Sequence, residues 1–281
     1  MKPSSRPLER TSKMTLNEAI SRISSSGIGD ARELCRIAFR EIGGFRDYEL
    51  LSGGVSSDSE ALASAIDRLS RGEPIDYILG YRDFYRERYK VTPEVLIPRN
   101  DTELLVDFAV SNIPTGERFL DLCTGSGCVG ISTLKNTEGT TAVLADISDG
   151  AIRVAKENAL SNGVADRCEF MMIDARREAV EGEIFAVLSN PPYVTDSAYL
   201  DLEKNIYYEP RSAFVGGADG GDFYRDMTPL YKDRIKKDGF IAYEIGYDQA
   251  ELIVEIAREN GMTSEVIYDL SGNARVAVLR K

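Results

Sequence analysis

The chain has 281 residues, 43% of them hydrophobic and 28% charged, with a net charge of -12. This composition excludes a disordered, collagenous or disulfide-stapled chain, and the length suits a small domain joined to one of standard size. No apolar stretch approaches the roughly 18 residues of a membrane span, and the opening MKPSSRPLERTSK is polar, so a cytoplasmic protein with no membrane partner is expected.

The charge is unevenly spread. Residues 1–75 carry 11 basic and 11 acidic side chains, which leaves 23 basic against 35 acidic in the remainder. An acidic body repels phosphate backbones, so direct extended nucleic-acid binding is not expected. There are four cysteines and no histidine. Cys123 and Cys128 form no CxxC pair and have no histidine partner, so no metal site is expected.

In chain order, residues 1–13 read as a flexible tail. Apolar residues then recur at helical spacing in Leu16, Ala19, Ile20 and Ile23, in Ala31, Leu34, Cys35, Ala38 and Phe39, and in Leu62, Ala65, Ile66 and Leu69. Stretches around Gly27, Gly43, Gly53 and Ser57 punctuate them, which predicts a small helical bundle over 14–73. From Pro74 the texture turns aromatic and β-branched, with Tyr77, Ile78, Phe84, Tyr85 and Tyr89, and predicts a β-hairpin linker over 74–98.

The remaining residues, 99–281, alternate. Helices are predicted at 102–112, 127–135, 149–161, 222–236 and 248–260, and strands at 118–122, 141–145, 168–173, 184–189, 239–245, 264–270 and 274–280. Such alternation implies an α/β fold with a doubly wound, mostly parallel sheet. The last two strands flank Ser271-Gly272-Asn273 and read as an antiparallel hairpin.

The run Phe119-Leu-Asp-Leu-Cys-Thr-Gly-Ser-Gly-Cys-Val-Gly130 sets Gly125, Gly127 and Gly130 at a strand-to-helix turn. Such glycines allow a tight turn and close approach of backbone to ligand. Ile131 stands where a Walker loop needs lysine. Asp121 would repel a pyrophosphate but can meet the ammonium of an amino-acid-bearing cofactor, which favours S-adenosylmethionine over a nicotinamide dinucleotide. Asp146 ends the next strand, where a carboxylate can accept from a ribose diol. Asp174 follows the third strand and reaches toward an adenine.

The strongest local signal is Phe185-Ala-Val-Leu-Ser-Asn190-Pro191-Pro192-Tyr193. Two prolines remove two backbone donors and fix an extended exit from a buried strand. The Asn190 side-chain oxygen and the Pro191 carbonyl can each accept one hydrogen of a planar NH2 group, while Tyr193 stacks on its plane. Methyl transfer from a sulfonium needs positioning more than a strong base, which suits a chain without histidine.

With these motifs the sequence resembles the peptide chain release factor glutamine N5-methyltransferases, the PrmC/HemK family. The resemblance runs from about Leu16 to the C-terminus. It rests on Gly72-Glu-Pro-Ile-Asp-Tyr77-Ile-Leu-Gly80, Val95-Leu-Ile-Pro98-Arg99 with Thr102-Glu103, the glycine turn and the NPPY segment. Tyr208-Glu209-Pro210, Gly216-Gly217, Glu244-Ile-Gly246 with Gln249, and Asp269-Leu-Ser-Gly272 with Arg275 complete it. Asn100 departs from the family, which usually has a second proline there, so a less rigid loop is expected.

The resemblance implies a helical domain over 14–73 that recognises the substrate release factor, followed by a Rossmann-like class I methyltransferase domain. It also implies methyl transfer from S-adenosylmethionine to the glutamine of the Gly-Gly-Gln motif of release factors by a monomeric enzyme. The expected cofactor-binding residues are Asp121, Cys123, Thr124, Gly125, Ser126, Gly127, Asp146, Ile147, Asp174, Ala175 and Asn190. Asn190, Pro191 and Tyr193 are the expected catalytic residues, and Asn190, Pro191, Pro192, Tyr193 and Glu209 are expected to bind substrate. Two alternatives stay open: a glutamine methyltransferase of a ribosomal protein, and an N-methyltransferase of an exocyclic base amine, which presents the same two hydrogens.

Overall fold

A computed structural model describes residues 13–52 and 54–281. The expected tail, apart from Lys13, and Gly53 lie outside the described residues. The chain forms two compact units, one ending at Leu79 and the other spanning Gly80–Lys281.

Among its described residues the first unit holds five helices, α1 (Leu16–Ser25), α2 (Ala31–Glu41), α3 (Asp47–Ser52), α4 (Glu60–Ser70) and α5 (Ile75–Leu79), with a two-residue pairing of β1 (Met14–Thr15) and β2 (Ser56–Ser57). Helix α1 starts where it does because Thr15 and Glu18 cap it reciprocally. Ser59 caps α4 by accepting from Leu62 N–H. The apolar positions that marked these helices in the sequence, Ala19, Ile23, Cys35, Phe39, Ile66 and Leu69, meet in one core.

Tyr77 and Ile78, expected in the hairpin, lie instead on α5. Pro74 has no N–H to lose at a helix start, and its carbonyl accepts from Tyr77 N–H at 3.1 Å. Ile75 buries in the helical core with Ile78 and Leu79 against it, and this packing outweighs the strand propensity of the segment.

The second unit opens with the hairpin β3 (Tyr81–Phe84) and β4 (Glu87–Lys90). Its two turn residues, Tyr85 (φ +47°) and Arg86 (φ +70°), are both left-handed, the geometry that matches strand twist in a two-residue turn. Glu103 holds that turn by accepting from Tyr85 N–H at 2.9 Å.

Thereafter come α6 (Glu103–Asn112), β5 (Arg118–Leu122), α7 (Cys128–Lys135), β6 (Thr141–Asp146), α8 (Asp149–Ser161), β7 (Cys168–Met172), β8 (Ile184–Ser189), α9 (Asp196–Tyr199), α10 (Asp222–Tyr231), β9 (Ile235–Glu244), α11 (Ala250–Glu259), β10 (Thr263–Tyr268) and β11 (Ala274–Arg280). Helix α10 is shorter than expected because the chain from Ile235 is already paired with Ile184 of β8.

The seven-stranded sheet has the order β10-β11-β9-β8-β5-β6-β7. Its strands run parallel from β7 to β9, and β11 and β10 close it antiparallel, as the Ser-Gly-Asn turn indicated. This is the doubly wound, mostly parallel sheet expected from the alternation of elements, and it has the Rossmann-like class I methyltransferase arrangement that the family resemblance implied.

Alternate residues of each strand face opposite layers. Phe119, Leu144, Leu188 and Phe240 pack under α6, α7 and α8, while Leu120, Val143, Val187 and Ile241 pack under α10 and α11. Strand β8 is buried at every position, as a central parallel strand covered on both faces must be. The chain reverses its winding between β5 and β8, and the crevice at their carboxyl ends is where such sheets bind ligands. Among the described residues no helix is long and apolar enough to cross a membrane.

Phe240 is fully buried, with edge contacts to Phe108 and Phe185 at ring separations of 5.1 and 5.9 Å. Phe240→Ala is expected to cost about 3–5 kcal/mol of stability, read from the denaturation midpoint, whereas a loss below about 1 kcal/mol would contradict this packing.

Candidate active site

Four adjacent strands, β6, β5, β8 and β9, deliver polar residues to one edge of an otherwise apolar sheet. Asp146 ends β6, Asp121 is the penultimate residue of β5, Asn190 follows β8, and Glu244 ends β9. The apolar run of each strand fixes its depth in the core. The polar residue at its end is thereby carried to the edge of the core.

At β5 the backbone turns through Cys123 and Gly125, both left-handed at φ +57° and +53°. A Cβ on Gly125 would meet nothing within 4 Å, so its backbone borders open space that a ligand can enter. Gly130 serves packing instead, since a Cβ there would lie 2.9 Å from Asp121 Oδ2. Gly127 caps α7 and lines none of the three cavities described below.

Asp121 Oδ2 accepts from Thr124 Oγ1 at 2.5 Å and from Gly130 N–H at 2.9 Å. Burial nevertheless raises its pKa to about 7. A cationic ligand group would relieve that cost. Asp146 accepts from Gly125 N–H and Ser148 N–H, each at 2.9 Å. Burial raises its pKa as well, against the lowering effect of these donors. Asp174 accepts from Arg176 N–H at 3.1 Å. Burial pushes the Cys123 and Cys128 thiols up, so neither is a thiolate nucleophile.

These groups surround a cavity of about 440 Å³, in the range of small-molecule sites, walled by Cys123, Gly125, Asp146, Ile147, Asp174, Ala175, Asn190 and Pro192. A narrow extension reaches Asp121, Thr124 and Ser126, where the buried Ser126 Oγ has no partner among the described residues. A second cavity of about 150 Å³ is bounded by Leu96, Arg99, Asn190, Tyr193, Phe214 and Glu244. Asn190 stands in the wall of all three.

The large cavity fits the cofactor expected from sequence. Its extension holds a carboxylate for an ammonium and an orphaned hydroxyl beside it, and Asp146 stands within the main chamber. When bound, S-adenosylmethionine supplies a methyl group on a sulfonium.

The segment after β8 is held from several sides. Ser189 Oγ donates to Leu122 O at 2.7 Å, and Asn190 Nδ2 donates to Thr102 Oγ1 at 3.2 Å. Tyr193 Oη donates to Glu244 Oε1 at 3.2 Å, and Gln249 Nε2 donates to the Tyr193 carbonyl at 3.0 Å. A Cβ on Gly216 would sit 2.4 Å from the Pro192 carbonyl, so the Gly-Gly segment packs directly on the proline pair.

Pro191 and Pro192 are buried, and Pro191 lines none of these cavities. Glu209, expected to bind substrate, is 5% exposed and accepts from Ile97 N–H at 2.9 Å and Arg99 Nη2 at 2.5 Å. It ties the segment before α10 to residues 97–99. Asn100, where a looser loop was expected, opens a 3-10 turn and accepts from Arg82 Nη2 at 2.9 Å. Arg275 bonds Asp101 in the same turn at 3.0 Å and Asp269 at 2.9 Å, so the C-terminal hairpin braces it.

Sequence reasoning assigned no role to Thr102, Glu244 or Gln249. Glu244 carried a usable signal, an acidic residue closing the apolar run Phe240-Ile-Ala-Tyr, the same pattern that marked Asp146. Thr102 carried none beyond its place in a motif.

Because Asp121 titrates at about 7 in the free protein, a cationic ligand gains most where that carboxyl is already ionised. Cofactor affinity is expected to be full above that pH and to fall below it by up to about tenfold per pH unit, since a proton must first be released. Asp121→Asn should abolish this slope and weaken binding by about 1.5–3 kcal/mol, measured by calorimetry across pH. A slope unchanged in the variant would assign it to another group.

Comparison with known proteins agrees with this geometry. The family described as Methyltransferase small domain matches residues 100–214. The Release factor glutamine methyltransferase of Moorella thermoacetica is 32% identical over 273 residues, covering 94% of this chain and 96% of its own. That of Clostridium acetobutylicum is 39% identical over 196 residues, covering 68% and 69%. Among solved structures, the hMettl16 catalytic domain in complex with MAT2A 3'UTR hairpin 6 has a TM-score of 0.57 at 12% identity, covering 86% of this chain and 91% of its own, a likeness of fold alone. Similarity that spans nearly the whole of both chains, on a sheet whose edge carries these four polar strand ends, makes this protein a member of the release factor glutamine methyltransferase family.

Proposed function

We propose that the protein transfers the methyl group of S-adenosylmethionine to the side-chain amide nitrogen, N5, of the glutamine in the Gly-Gly-Gln motif of peptide chain release factors. The observation that carries this reading is the place of Asn190. It lines both the cofactor-sized cavity and the smaller one beyond it, so an atom reaching it from either side meets the other reactant there.

Its Nδ2 is engaged by Thr102, which leaves Oδ1 as the acceptor for an incoming NH2 group. The Pro191 carbonyl follows in an extended exit and accepts the second hydrogen. With both hydrogens held, the plane of the amide is fixed, and the face of the nitrogen that carries the lone pair is aimed into the larger cavity. Tyr193, its hydroxyl fixed on Glu244, offers the ring face that orients the amide. Burial raises its pKa, so it stays a neutral phenol and takes no part as a base. As the nitrogen takes the methyl and the carbon–sulfur bond breaks, one of its two hydrogens becomes strongly acidic and is lost to solvent, so the side chains bind and orient and no strong base is required.

The smaller cavity, about 150 Å³ and walled by Leu96, Tyr193, Leu202, Ile206 and Phe214, suits one extended side chain better than a purine. This favours glutamine over an exocyclic base amine.

Incubation of full-length protein and cofactor with release factor should add the mass of one methylene to the glutamine of its Gly-Gly-Gln peptide. Asn190→Ala should lower kcat by about 10²- to 10³-fold with little change in cofactor affinity. Near wild-type turnover in that variant, or methyl transfer to a nucleic acid in place of the release factor, would refute the reading.

A further inference from the structure

Two segments far apart in sequence meet in the wall of the large cavity. One is Ile173-Asp174-Ala175-Arg176, which follows β7, and the other is the first turn of α10, which contributes Phe223. Ile173 N–H donates to the Asp146 carbonyl at 3.0 Å, which sets the first segment beside Ile147, a wall residue left 63% exposed. The cofactor has one flat, largely apolar part, its adenine. A flat base with an NH2 group needs an acceptor at its edge and apolar surface against its faces, and Asp174, Ile147 and Phe223 supply these. Ala175 is too small to offer a stacking surface, and Phe223 is the one aromatic among the described residues that wall this cavity.

Arg176 joins the two segments. Its backbone N–H bonds Asp174 within the first. Its side chain crosses to α10, where Nε donates to Asp226 Oδ2 at 2.6 Å and Nη2 donates to Asp222 Oδ2 at 3.3 Å. Asp222 and Asp226 stand one helical turn apart, so together they hold the flat guanidinium in one orientation. Its central carbon lies over the Phe223 ring, 5.1 Å from the ring centre. Asp222 is pinned in turn. Its N–H donates to the Gly216 carbonyl at 3.1 Å, and a Cβ on Gly217 would lie 2.5 Å from its carboxyl. These ion pairs are more than a third exposed and add little to stability, but they restrict where the ring can sit.

We propose that Phe223 is a cofactor-binding residue that offers its ring to the adenine, and that Arg176 is a positioning residue that holds the ring in place through Asp222 and Asp226. This clasp recognises the cofactor and not the methyl acceptor, so it does not depend on the glutamine reading.

The test is calorimetry on full-length protein with no methyl acceptor present. The probes are S-adenosylhomocysteine, and adenosine measured in competition with it. Phe223→Ala should weaken both by roughly 10- to 100-fold, the usual worth of a base stacked on an aromatic side chain, and Phe223→Tyr should keep most of the affinity. Phe223→Leu retains an apolar side chain of similar reach and loses the flat ring, and should weaken both by about fivefold. Arg176→Ala should weaken both by about threefold and add little to the loss in Phe223→Ala, because it acts through the ring.

Unchanged adenosine binding in a folded Phe223→Ala or Phe223→Leu variant would overturn the assignment, as would a loss confined to S-adenosylhomocysteine. A tyrosine variant no better than the leucine one would also overturn it. Fully additive losses from Arg176→Ala and Phe223→Ala would overturn the role given to Arg176. If the alanine variant folds poorly, the leucine and tyrosine variants decide.

Discussion

The hydrogen bond from Asn190 Nδ2 to Thr102 Oγ1 joins the exit of the central strand to the turn that precedes α6, across 88 positions of sequence. The site depends on it for a simple reason. An asparagine in a wall between two cavities is useful only if one known end of its amide faces the reactant, and a side-chain amide has no intrinsic preference. Rigid surroundings must impose one, and here they include the buried Thr102 hydroxyl.

The fold supplies that rigidity with ordinary means. Strands β5, β6, β8 and β9 are anchored by apolar residues on both faces, so the residue at each carboxyl end is held in position by packing. The turn holding Thr102 is tied on three sides, by Arg82 to Asn100, by Arg275 to Asp101 and by Glu103 to the Tyr85 backbone. Each of these ties is polar. Exposed ion pairs contribute little stability, but several acting on one short turn restrict its position. The C-terminal hairpin, which looks remote in sequence, enters the site through Arg275 and through the β11 backbone, whose Arg275 carbonyl accepts from Ile245 N–H at 2.9 Å.

Much of this was readable before the structure. Helical spacing of Leu16, Ala19 and Ile23 and the apolar runs of β5, β6 and β8 signalled elements whose own burial pattern repeats along the chain. The proline pair and its flanking asparagine were legible because their chemistry is local. Helix α5 was not, since five residues are too few for periodicity and Pro74 reads equally well as a turn. The α9 region and the 3-10 turns at Lys204–Tyr208 and Arg211–Ala213 were silent for the same reason, being positioned by long-range ties such as Glu209 to Ile97. Glu209 itself read as a substrate contact because a motif gives the residue type and not its partner. The meeting of Asn190 with Thr102 was beyond any local pattern, because it joins segments 88 positions apart.

The account turns on which atoms face the glutamine nitrogen. A structure of the protein with a Gly-Gly-Gln peptide and the demethylated cofactor tests this directly. The account predicts the glutamine nitrogen within about 3.2 Å of both Asn190 Oδ1 and the Pro191 carbonyl, with its open face toward the cofactor sulfur. A glutamine bound elsewhere, or an Asn190 whose oxygen is turned to Thr102, would contradict it.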